Sequence, residues 1–226
     1  MAPVLGYWKI RGLAQPIRLM LKYCNIEFED KYYECGPAPD FSRECWLKEK
    51  FTLGLDFPNL PYYIDGDVKL TQSRAILHYI GKKHGLCGKT DEEQLKVCLM
   101  TDEVGDFRSA FTRICYGAPS VEAFESMKVD YLASLDGKLQ RFEDYLKKNE
   151  SVGKWLAGEN LSYADFYFYE ILDHHRIFKE GCLDKYTKLT AYMKTFEELP
   201  AIKEYLASKE FLKYPLNNKI AKFGGN

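Results

Sequence analysis

Seven cysteines and four histidines are the residues from which thiol, redox or metal chemistry would be built in this 226-residue chain. The cysteines (Cys24, Cys35, Cys45, Cys87, Cys98, Cys115 and Cys182) are odd in number, scattered and never spaced as CxxC. That spacing removes a dithiol redox motif and a thiolate zinc site, and it suits a reducing compartment where free cysteine acts as a small hydrophobe. His78, His84, His174 and His175 share no metal-ligand spacing with cysteine or carboxylate. His174 and His175 are neighbours on an expected helix, so they point about 100° apart and suit one metal poorly. No metal site is expected.

Other residues have types and positions that two readings fit. Tyr7 closes a short apolar run, where an aromatic is most often core. Gln72-Ser73 open a helix; Ser73 reads as an ordinary cap, yet a helix N-terminus is also an anion site. Trp46 and Lys50 lie four apart and share a helix face, which Arg43, three before Trp46, can join. By spacing alone that face is merely solvated. Asp106 falls among apolar helix positions, which is odd unless something cationic meets it.

The elements that must position these residues change character along the chain. Val4 to Trp8 reads as a buried strand, followed by a helix from about Gln15 to Tyr23 with Pro16 in its first turn. A second strand is expected over Glu27 to Tyr33, then a loop at Gly36-Pro37-Ala38-Pro39-Asp40 and a short helix around Arg43 to Lys50. Pro61 to Ile64 and Val68 to Leu70 flank Asp65-Gly66-Asp67, a hairpin signal, and a helix runs from Gln72 to about His84. The order βαβ, then αββα, implies a small mixed sheet with helices packed on it. Beyond a linker at Leu86 to Thr90 only helices are expected, over roughly 91–208, with an irregular tail to Asn226. Leu132, Leu135, Leu139, Phe142 and Leu146 repeat at helical intervals, as do Phe107, Phe111 and Ile114. Ser162 and Asp165 read as a capping pair.

Composition excludes whole classes of partner. At 46% hydrophobic and 29% charged residues, the chain can bury a core. Net charge is −1, with 12 basic against 10 acidic residues over 1–84 and 20 against 23 beyond, so no basic face points to nucleic acid or membrane. Nothing approaches the roughly 20 apolar residues of a membrane span. The first ten residues lack an apolar core of signal-peptide length. A cytosolic, cytoplasmic protein is expected.

Leu5-Gly6-Tyr7-Trp8, Arg11-Gly12-Leu13, Pro16-Ile17-Arg18, the run from Lys50-Phe51 through Leu53-Gly54-Leu55-Asp56-Phe57-Pro58-Asn59-Leu60-Pro61-Tyr62, and Thr71-Gln72-Ser73 together resemble cytosolic glutathione transferases, specifically the mu class. The likeness continues through Ile114-Cys115-Tyr116, Ala164-Asp165-Phe166 and Leu183-Asp184, and the Gly36 to Phe41 insertion is similar to the extra loop of that class. The resemblance implies a thioredoxin-like α/β domain over 1–85 and an all-α domain with the electrophile pocket and tail over 91–226. It further implies a homodimer and a detoxifying enzyme that joins glutathione, its co-substrate, to hydrophobic electrophilic small molecules.

By resemblance, Tyr7 donates a hydrogen bond to the glutathione sulfur, with Trp8 beside it, and Tyr116 stabilises charge building on the electrophile. Gln72 and the Ser73 helix start take the γ-glutamyl carboxylate, Asn59-Leu60-Pro61 offers the Leu60 backbone across a cis bond, and Arg43, Trp46 and Lys50 hold the glycyl carboxylate. Asp106 reaches across the dimer to the glutathione amino group, and Phe57 wedges into the partner subunit. Trp8, Ile10, Leu13 and the tail from Phe211 wall the electrophile pocket. The departure is on the helix: Gly105, Ser109 and Thr112 stand where mu-class chains carry bulky apolar side chains. Two rivals share the fold, a crystallin-like or carrier descendant and an isomerase using the same thiolate. A thiol-redox enzyme is set aside because Tyr7 to Ile17 contains no cysteine.

Overall fold

The computed structural model describes residues 2–225. Met1 and Asn226, the outer ends of the two expected domains, lie outside them. Among the described residues the elements run β1 (Val4–Trp8), α1 (Gln15–Tyr23), β2 (Glu29–Tyr33), α2 (Glu44–Leu47), β3 (Tyr62–Asp65), β4 (Val68–Thr71) and α3 (Ser73–Lys83). Helices α4 (Asp91–Gly117), α5 (Val121–Lys148), α6 (Tyr163–Phe178), α7 (Thr187–Glu197) and α8 (Pro200–Ala207) follow.

The four strands form one sheet in the order β2-β1-β3-β4. β1 and β2 are parallel, joined through α1, whereas β3 pairs antiparallel with both β1 and β4. Gly66, at φ +62°, supplies the left-handed backbone that the tight β3–β4 turn requires. Helix α1 buries Ile17, Leu19, Met20 and Leu21 and packs on α3, α6 and α8. Its one buried cation, Arg18, is satisfied by Asp30 of β2 at 2.7 Å and by the Ile10 carbonyl at 2.8 Å.

Helix α6 is the axis of the helical part. Fourteen of its sixteen residues are buried, so it must be apolar on nearly every side. Its start is the expected capping box: Asp165 accepts from the Ser162 backbone N–H at 2.8 Å. Its polar residues are paired. Arg11, entering from the β1–α1 loop, donates to Glu170 at 2.9 and 2.7 Å and to Asp173 at 2.5 Å. Burial alone would raise Glu170, but Arg11 and His174 outweigh it and hold this carboxyl at about 2. His174 donates into the same cluster, and His175 stacks on Phe107 at 4.3 Å. Burial lowers both imidazoles, His175 to about 3.

Three expectations shift. β2 begins at Glu29 rather than Glu27. α2 is a four-residue helix continued by turns, although the Lys50 N–H to Trp46 carbonyl bond, 2.9 Å, preserves the shared face. Ser73 is the first helical residue rather than the cap of α3. Gln72 holds that position, and its carbonyl accepts from Ile76 N–H at 3.0 Å.

Candidate functional site

Tyr7, in β1, points beneath the loop that leads into α1. The backbone N–H of Leu13 donates to the Tyr7 hydroxyl at 3.1 Å. A phenolic oxygen that accepts one bond keeps its own proton to donate elsewhere. Gly12 makes the approach possible: at φ +46°, any Cβ there would sit 2.7 Å from the Tyr7 oxygen. Burial raises the Tyr7 phenol above its ordinary value, against the opposing pull of Arg108. Tyr7 is therefore a neutral donor at physiological pH.

The cleft beside it, about 460 Å³, is lined by Tyr7, Trp8, Ile10, Arg43, Tyr116 and the tail residues Asn218 and Ile220, among others. Tyr116, at the end of α4, accepts from the Asn218 backbone N–H at 2.7 Å, which leaves its proton free in turn. Burial pushes Tyr116 up to about 12, so it too is a neutral donor. Two phenols from distant parts of the chain thus share one cavity.

The expected walls are only partly these. Leu13 is not in the lining; its contribution is the main-chain N–H on Tyr7. Phe211 turns away, edge-on to Tyr205 and 5.4 Å from the Arg11 guanidinium. The adjoining pocket is instead lined by Leu212, Tyr214, Pro215 and Lys219. The space beside Gly105 is occupied by Arg74, whose guanidinium would lie 3.1 Å from a Cβ there. The small residue thus makes room for α3 and adds nothing to the cleft.

Around the sheet, Trp46 is buried and stacks on Tyr62 at 6.0 Å, while Lys50 lies over Phe51 at 5.2 Å. Arg43 alone of that trio lines the cleft. Leu60 is buried and its bond to Pro61 is cis; its N–H is taken by the Asn59 side chain at 2.9 Å. Gln72 adopts φ +69° and ψ 110° without being glycine. Such a backbone costs on the order of 1–3 kcal/mol and gathers at ligand-binding positions. No side chain caps α3 and no acid stands in its first turn, so its N–H groups are open to an anion.

Asp106 is elsewhere. It lies on the exposed side of α4, between buried Gly105 and Phe107, in a separate groove of about 460 Å³ that α4 and α5 enclose. Its oddness among apolar positions disappears, because the helix turns it outward. Phe57 is 76% exposed on its loop.

Arg108 and Asn218 escaped the sequence reading. Arg108 carried a usable signal, one turn from Thr112 and two from Tyr116 on the same face of α4. Asn218 acts through its backbone, which no residue type announces.

Family models named "Glutathione S-transferase, N-terminal domain" and "Glutathione S-transferase, C-terminal domain" match residues 3–82 and 105–209. The chain is 48% identical over 221 residues to human glutathione S-transferase Mu 3, covering 98% of this chain and 95% of that one. It is 47% identical to Bos taurus glutathione S-transferase Mu 1, with 99% of each chain covered. Among solved structures, the glutathione S-transferase Blo t 8 superposes with a TM-score of 0.90 at 39% identity, covering 98% of this chain and 99% of that one. Prostaglandin synthase D of Nilaparvata lugens does so at 0.78 and 29%, covering 94% and 100%. By sequence over nearly its whole length and by fold, this chain belongs to the glutathione S-transferase family, and within it to the mu class.

Proposed function

We propose that this enzyme binds glutathione in the unit 1–85, ionises its thiol against Tyr7, and adds the thiolate to hydrophobic electrophiles held against the helical unit 91–226. The observation that carries this is the Tyr7 hydroxyl, buried, neutral and already accepting from Leu13, with one proton left to give. A thiol near pKa 8.5 is only about 3% ionised at pH 7. One hydrogen bond to a charged acceptor contributes roughly 1.5–3 kcal/mol, or about one to two pKa units. A two-unit drop raises the thiolate fraction to about three-quarters, some 25-fold. Intrinsic nucleophilicity falls with a slope of roughly 0.4–0.5, which returns most of a decade. The net gain from ionisation is a few-fold, so positioning of the electrophile supplies much of the rest.

Tyr116 is the group for the second substrate: its free proton faces the same cleft and can stabilise charge that builds on the electrophile. The glutathione carboxylates are assigned to the open start of α3 with Gln72 and Ser73, and to Arg43, Trp46 and Lys50. The cysteinyl backbone is assigned to Leu60, which must exchange its bond to Asn59 for one to the peptide or offer its carbonyl. Asp106 would serve the amino group of glutathione bound to the partner of a homodimer. Phe57 would fill the partner's groove between α4 and α5, whose room and apolar floor of Phe107 and Phe142 support that fit. The enzyme is read as cytosolic and detoxifying.

The experiment is turnover of a chloro-dinitro aromatic with glutathione by the purified protein, beside calorimetric glutathione binding. Conjugation at rates well above the uncatalysed reaction is expected. Binding without turnover would reject this reading in favour of a carrier or an isomerase.

A further inference from the structure

Cys35 and Cys45 stand ten residues apart, too far for a redox motif to be read from spacing, yet the loop between them closes and brings them together. The Gly36 N–H donates to the Ser42 carbonyl at 2.8 Å, and the Phe41 N–H donates to the Pro37 carbonyl at 3.0 Å. The Cys45 thiol consequently donates to the carbonyl of Glu34, the residue peptide-bonded to Cys35, at 3.1 Å. A carbonyl oxygen lies about 2.8 Å from the next Cα in a trans peptide, so the Cys45 sulfur is no more than about 6 Å from the Cys35 Cα. A disulfide needs its sulfurs about 2.05 Å apart and its Cα atoms about 4.4–6.8 Å apart, so the exposed Cys45 side chain must leave the Glu34 carbonyl and turn to Cys35 for the bond to close. The two thiols differ in access: Cys45 is exposed, whereas Cys35 is buried and lines the Tyr7 cleft. Asp40, Phe41 and Arg43, all on the loop between the two cysteines, line that cleft too.

We propose that Cys35 and Cys45 are a thiol–disulfide pair, oxidised by glutathione disulfide, whose bond staples the 36–44 loop at the rim of the cleft and weakens glutathione binding. The Cys45 thiolate attacks one sulfur of glutathione disulfide. The S–S bond breaks, one glutathione leaves as its thiolate, and a mixed disulfide forms on Cys45. The Cys35 thiolate then attacks the Cys45 sulfur and expels the second glutathione. Two protein thiols are oxidised to one disulfide, one glutathione disulfide is reduced to two glutathione molecules, and the two thiol protons pass to those products. The Cys35 proton is lost last because burial raises that thiol, against the opposing pull of the Asn218 side chain first and of Lys219 and Arg43 after it. The bond draws the first turn of α2 toward β2, and with it Arg43 and Trp46. The effect on affinity rests on the glutathione-binding reading above; the bond itself does not.

The test is incubation of the full-length protein with glutathione disulfide, followed by intact mass, peptide mapping and calorimetric glutathione binding after the reagent is removed. Expected are a mass lower by two hydrogens, a linked peptide joining Cys35 to Cys45, and glutathione affinity reduced several-fold and restored by dithiothreitol. Cys35→Ser should instead accumulate one glutathione adduct at Cys45, and Cys45→Ser should form no link at Cys35. A persistent adduct on wild-type Cys45 with Cys35 free, no reaction at either residue, or a bond that leaves affinity unchanged overturns the proposal. If the untreated protein fails to bind glutathione while the linked peptide forms, the functional reading fails and the pair stands.

Discussion

Replacing Tyr7 by Phe removes one oxygen from a buried position with two neighbours, the Leu13 N–H and, in the proposed complex, the glutathione sulfur. The first loss leaves a part-buried donor unpaired, at a cost of about 1–3 kcal/mol of stability. The second raises the pKa of bound glutathione by about one to two units, the equivalent of roughly 1.5–3 kcal/mol. At pH 7 the larger shift takes the thiolate from about three-quarters to about 3% of the bound population. The greater nucleophilicity of a more basic thiolate offsets most of that, so turnover at pH 7 should fall by only about two- to four-fold. The sharper signature is the pH profile. The rising limb of kcat should move upward by about one to two units, and the plateau above it should match or exceed wild type. The Tyr7 phenol itself does not titrate in this range, because burial keeps it above its ordinary value. The assay is ultraviolet thiolate absorbance of the glutathione complex against pH, paired with initial conjugation rates. A variant that binds glutathione as wild type does, with an unmoved thiol pKa, would refute the role of Tyr7.

Three further results are expected. Tyr116→Phe should leave glutathione affinity unchanged and lower kcat toward electrophiles that build negative charge; the loss should stay below the roughly 100-fold of a strong general acid, since Tyr116 is 40% exposed. Stability should fall as pH drops below the unfolded histidine value of about 6.5, because His175 in the fold resists protonation down to about 3; between pH 6.5 and 5 this alone removes about 2 kcal/mol, measurable by urea denaturation. Phe57→Ser should shift sedimentation toward monomer at low concentration while leaving the circular dichroism spectrum intact, and an unchanged dimer would remove Phe57 from the interface.

What was legible in the chain was whatever repeats or punctuates. The α5 stripe from Leu135 to Leu146, the Ser162–Asp165 box and the Gly66 turn are local signals, and each produced its element. Register and direction were harder. Asp106 sits one residue from buried positions on either side, and a helix at about 100° per residue is enough to turn it outward. Phe211 is expected at the pocket only by resemblance, and no residue spacing announces the buried Arg11 guanidinium over which its ring lies. The Cys35–Cys45 approach depends on loop closure, which spacing rules do not encode.

The tail has a consequence for how the enzyme is made. The Pro215 and Leu216 carbonyls accept from the Arg11 and Gly12 N–H groups, Asn218 holds Tyr116, and the Lys222 N–H donates to the Cys115 carbonyl. The loop that shapes the Tyr7 pocket is therefore braced by residues translated near the opposite end of this sequence. N-terminal segments emerge from the ribosome first and begin to fold as units. The sheet can form early, but its Tyr7 corner stays unbraced until the helical part has emerged and folded back onto it. A nascent chain stalled before residue 215 would hold a complete sheet and an unfinished Tyr7 cleft.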